Sequence, residues 1–120
     1  MVEDRLNDGV RIAQLLSSEI TGLGTLDALS VVDADADVEP TVEGRLAYRV
    51  ERDGSPFAEV YVHPDRARIE LREEHERAVA AAEDQRLRVR PKAVRPPRTI
   101  VFVEDGAQVK RAARLLEALV

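Results

Sequence analysis

The residues in this chain best suited to act on a partner are basic ones that recur at every second position of its strand-like segments. When Leu46, Val60, Ile69 and Val89 turn to one side, the other side collects Arg45, Arg49, Arg66, Arg68, Arg72, Arg86, Arg88, Arg90 and Lys92. Only Glu51, Glu59 and Glu70 offset them on that side, and residues 86–98 hold six basic side chains and no acid within a chain of net charge -5. Guanidinium forks pair bidentately with phosphate or carboxylate, so the chemistry expected of this face is the capture of an anion. The candidate anion-binding set is Arg45, Arg49, Arg66, Arg68, Arg86, Arg88, Arg90 and Lys92. Tyr61 and His63 share its parity as accessory residues, and Phe57 and Tyr61 are placed to stack on bases. Two observations weigh against a nucleic-acid platform: aromatic residues make up 3% of the chain, and the overall balance is acidic. The bland alternative pairs these cations with Glu51, Glu59, Glu70 or helix carboxylates in a solvated network. A third reading uses the face as a homodimer interface, where arginine is enriched.

Other chemistries find little support. There is no cysteine, and the two histidines, His63 and His75, lack a nucleophile partner in any recognised motif. Asp33, Asp35, Asp37 and Glu43 resemble the opening of a calcium loop, but Val38 stands where the loop needs glycine and Gly44 where it needs a bidentate glutamate. Gly22-Leu23-Gly24 follows a helix pattern, whereas a phosphate-cradling loop precedes one. No catalytic set, metal site or cofactor is expected.

The positioning elements follow from periodicity. Leu6, Val10, Ala13, Leu16 or Ser17, and Ile20 define a helix over residues 3–21, with Asn7 or Asp8 as an alternative later start because Gly9 lies inside the pattern, and with Gly22 and Gly24 as its stop. Residues 26–32 form a short edge strand that runs into an acidic loop ended by Pro40. Alternation around Tyr48, Val60 and Ile69, with turns at Asp53-Gly54 and Pro64-Asp65, predicts a three-stranded antiparallel meander. A helix over residues 73–85, an alternating segment over 86–92, a strand over 99–103 covered on both faces, and a C-terminal helix opened by the Asp105/Gln108 capping box complete the order. This is a single α+β domain: one mainly antiparallel sheet of five or six strands with three helices packed on one face.

Composition bounds the setting. A chain of 120 residues with 34% charged side chains, Lys92 and Lys110 as its only lysines and no cysteine suits a reducing cytoplasm and a surface adapted to salt. The acidic opening Met1-Val2-Glu3-Asp4 lacks the order of a secretory signal, and no apolar run approaches membrane-spanning length. The stretch from Arg88 to Ala112, RVRPKAVRPPRTIVFVEDGAQVKRA, and that from Ala28 to Thr41 resemble small proteins of halophilic archaea with no assigned activity. The resemblance implies a setting and transfers no site. The expected function is a non-enzymatic cytoplasmic binding module for nucleic acid or an acidic protein surface; the alternatives are a homodimerising assembly protein and a small enzyme acting on an anionic metabolite.

Overall fold

The computed structural model describes residues 8–22, 28–72, 75–95 and 97–120. Residues 3–7 of the helix expected over 3–21, the stop at Gly24, the strand residues 26–27 and the helix start at Glu73 and Glu74 lie outside them. Three helices, α1 (Gly9–Gly22), α2 (His75–Asp84) and α3 (Ala107–Leu119), accompany six strands: β1 (Leu29–Val32), β2 (Arg45–Arg52), β3 (Ser55–Val62), β4 (Ala67–Leu71), β5 (Val89–Lys92) and β6 (Arg98–Val103). The strands make one antiparallel sheet in the order β1-β2-β3-β4-β6-β5, an α+β fold. The meander is therefore four strands long, and β6 enters beside β4 after the crossover through α2 and β5.

One face of the sheet builds the core. Val50, Val60, Val62, Ile69, Leu71, Val101 and Val103 pack with Ile12, Leu16 and Ile20 of α1, Ala78 and Ala82 of α2, and Leu115, Leu116 and Leu119 of α3. Helix α1 starts where the later-start alternative puts it, for Asp8 Oδ1 accepts from the Arg11 N–H at 3.2 Å. Gly9 also explains itself: a Cβ there would lie 1.9 Å from the His63 carbonyl oxygen and 2.5 Å from that of Arg66, so the helix start rests on the backbone of the β3–β4 turn. Half of the expected capping box forms at α3, where Asp105 Oδ1 accepts from the Gln108 N–H. The Gln108 side chain reaches back one residue further than expected, to the Glu104 N–H. At its other end, Arg52 and Arg77 donate to the Leu119 carbonyl, satisfying the helix where its dipole is negative.

Two bulges change which side chains share a face. Leu46 pairs with Tyr61 but Tyr48 pairs with Val60, leaving Ala47 as the extra residue in β2. Val50 pairs with Ala58 but Glu51 with Pro56, leaving Phe57 as the extra residue in β3. Leu46 thus moves to the outer face, correcting the expectation that it faces the helices. Phe57 joins the core with Arg52 stacked on its ring, so it is not a stacking residue of the open face.

Candidate anion-binding site

The outer face is a lattice of cross-strand rows. Along β3, β4, β6 and β5 the register sets Tyr61, Arg68, Phe102 and Arg88 in one row, and Glu59, Glu70, Ile100 and Arg90 in the next, with Arg98 and Lys92 opposite each other beyond. Two glutamates directly opposite on neighbouring strands repel unless cations surround them. Here they do: Glu70, fully enclosed, accepts from Arg68 Nε at 2.9 Å, Lys92 Nζ at 3.0 Å and Arg98 Nη1 at 3.1 Å. Glu59 pairs with Arg98, with Arg72 at 3.4 Å and with Arg49 at 3.6 Å, and Arg49 reaches Asp33 at 3.2 Å. Burial opposes the ionisation of Glu70, yet the hydrogen bonds from Lys92, Arg68 and Arg98 outweigh it and hold its carboxyl below the ordinary value. The same two carboxylates outweigh desolvation at Arg98 and strengthen its hold on a proton.

A groove of about 490 Å³ opens beside this network, between the loop at Val42 and Glu43 and strand β5. Arg66, Arg68, Arg90 and Lys92 line it against Glu43 and Glu70, over Ile100 and Phe102. The ring of Phe102 gathers three guanidinium groups, with those of Arg88, Arg66 and Arg90 centred 4.9, 5.5 and 5.6 Å from its centroid. Strand β6 is thus covered on both faces as expected, by the core on one side and by arginines on the other. Arg88 pairs with Glu104 and Arg66 with Asp65 at 3.0 Å, whereas Arg90 has no ion pair among the described residues.

The wall facing β3 is latched by His63. A guanidinium only donates, so the 2.9 Å contact from Arg68 Nη1 requires His63 Nε2 to accept, and Nδ1 then carries the proton donated to the Val42 carbonyl at 2.9 Å. Burial, together with the charges of Arg66 and Arg68, lowers the pKa of His63 and keeps the ring neutral, against the opposite pull of the Val42 bond and Asp65. Arg68 Nη1 also donates to the Glu43 carbonyl at 2.7 Å. Gly44 permits this approach: its φ is +95°, and a Cβ would fall 2.1 Å from Arg68 Nη1.

Of the residues expected on this face, Arg49, Arg66, Arg68, Arg72, Arg88, Arg90, Lys92, Tyr61 and His63 are on it. Tyr61 is occupied there, its ring under Arg68 at 4.3 Å and its hydroxyl donating to Glu59 at 3.3 Å. Besides Phe57, two basic residues depart. Arg45 pairs with Val62 and takes the opposite parity because of the Ala47 bulge. Arg86 is not in a strand: it terminates α2 at a positive φ of 57°, with its N–H on Glu83 and the Leu87 N–H on Ala82, both at 3.0 Å. Sequence reasoning missed Arg98, although it lies in the acid-free basic run, and missed Phe102, whose outer position depends on the pairing of β4 with β6.

Residues 1–120 match the family DUF7993, described as a family of unknown function. The chain belongs to this family. No curated protein and no solved structure matches it. Among the described residues no helix is long and apolar enough to cross a membrane, and no group of three acidic or histidine side chains is placed to hold a metal ion.

Proposed function

We propose that this member of DUF7993 is a non-enzymatic binding module that takes an anionic partner in the groove between the Val42–Glu43 loop and β5. One observation carries the reading: Arg90, exposed and without a carboxylate, stands with Arg66, Arg68 and Lys92 around one concavity. Four cations there outnumber the two carboxylates; Arg68 and Lys92 are paired with Glu70, which Arg98 also contacts from outside the groove. A binding role without catalysis is supported by His63, whose two ring nitrogens are both committed to the protein. The setting we propose is a salt-adapted cytoplasm, supported by the acidic balance, the scarcity of lysine and the lack of cysteine.

The test is calorimetric titration of the chain, and of its Arg66→Gln/Arg90→Gln variant, with citrate, inorganic phosphate and a single-stranded oligonucleotide. At least one of these should bind, and the double variant should lose about tenfold or more in affinity, the worth of charge-assisted hydrogen bonds. Failure of all three to bind, or indifference of the binding to the two substitutions, rejects the reading.

A further inference from the structure

Resting on that reading, we infer that the groove is shaped for a compact phosphate monoester, its phosphate held by Arg66, Arg68 and Arg90 and its organic part lying along the exposed Pro91 and Ala93. Three observations select this class among anions.

The first is the supply of donors. The Arg90 side chain makes no hydrogen bond to the described residues, so its five guanidinium N–H groups are uncommitted; the Arg66 side chain uses only Nη1, on Asp65, and Arg68 commits Nε and Nη1 but leaves Nη2. A carboxylate offers about four lone-pair sites. That supply exceeds what one carboxylate can accept and suits the three terminal oxygens and near-double charge of a phosphate monoester. Glu43 and Glu70 also line the groove; Glu70 is neutralised by its three cations, and Glu43 lies at the exposed rim with its carbonyl bound to Arg68.

The second is the loss of every stacking surface. The chain has four aromatic side chains: Phe57 and Tyr48 are in the core, Phe102 lies beneath three guanidiniums, and Tyr61 lies beneath Arg68. A single-stranded nucleic acid draws much of its affinity from base stacking and would find none here. The third is size. About 490 Å³ falls within the range of small-molecule sites, roughly 300–1,000 Å³, and the loop latched by His63 and Arg68 walls one side.

Calorimetry with phenyl phosphate, benzoate and inorganic phosphate as probes, with oligothymidylate as a competitor, decides the matter. Phenyl phosphate is expected to bind about tenfold or more tightly than benzoate, to bind more tightly than inorganic phosphate, and to resist displacement by oligothymidylate at equal phosphate concentration. Arg90→Gln should weaken phenyl phosphate about tenfold. Arg114→Gln, which removes the same charge from the exposed side of α3, should leave its binding unchanged. Equal or tighter binding of benzoate or inorganic phosphate, displacement by the oligonucleotide, or indifference to Arg90→Gln overturns the monoester assignment. If those other anions still bind in a manner that depends on Arg66 and Arg90, the broader anion-binding reading survives. If no probe binds, both fall.

Discussion

At the scale of single residues, the outer face is organised by two of its carboxylates, Glu59 and Glu70, as much as by its cations. Glu70, fully enclosed, collects Arg68, Lys92 and Arg98, and Arg98 bridges it to Glu59, so removing one charge strands several others. Glu70→Gln is therefore expected to destabilise the fold by about 3 kcal/mol, the cost of breaking a buried ion pair, as measured by urea denaturation. A loss below about 1 kcal/mol would mean that the network behaves as exposed surface pairs do. The pH dependence follows from two lowered pKa values. His63 has its ordinary value of 6.5 when unfolded and a lower one when folded, so its contribution is present above 6.5 and is lost as pH falls through the folded value. Glu70 acts in the same sense further down, its contribution present above about 4.5 and lost as the pH falls past its lowered folded value. The thermal midpoint should decline in two stages on acidification, and His63→Gln should flatten the earlier stage alone. Little of this could be read from local sequence, for the acceptor of His63 is 21 residues away and that of Arg98 on Glu59 is 39 away.

At the scale of elements, alternation and turn residues made the β2–β3–β4 meander legible, and the apolar stripes did the same for the helices. What alternation could not show was where a strand takes an extra residue. Ala47 and Phe57 look like ordinary strand residues, and only the pairing of β2 with β3 makes each of them a bulge that reverses the parity of Arg45, Leu46 and Phe57. Arg86 was misplaced for a different reason. The left-handed position after a helix is usually glycine, and an arginine there gives no local signal. Arg86→Gly should accordingly stabilise the chain by about 0.5–1 kcal/mol in chemical denaturation while leaving anion affinity untouched. A loss of affinity would return Arg86 to the site. Gly44→Ala has the opposite expectation, because φ is +95° and the new Cβ would meet the Arg68 guanidinium. It should cost about 1–3 kcal/mol in denaturation and weaken the groove as the latch opens.

At the scale of the whole molecule, acids and bases meet across elements: Asp33, Asp35, Asp37 and Glu39 lie in the β1–β2 loop, and Arg49 of the outer face reaches Asp33. The basic run over residues 86–98 is plain in the sequence. The convergence of Arg66, Arg88 and Arg90 did not show, because it arises only when β6 inserts between β4 and β5. Salt separates the two kinds of cation. Raising ionic strength from about 0.1 to 1 M shortens the screening length from about 10 to 3 Å, which should weaken anion binding at exposed Arg90 while leaving the enclosed Glu70 cluster, and with it the thermal midpoint, largely intact. A midpoint that collapses with salt would place the Glu70 pairs in contact with solvent. The turn joining β3 to β4 is gripped from two directions, since Gly9 seats α1 against its backbone and Gly44 seats the groove wall against the side chains of His63 and Arg68. A methyl group added at the start of the first helix would therefore be registered at the outer face of the sheet, although no described side chain of that helix lines the groove.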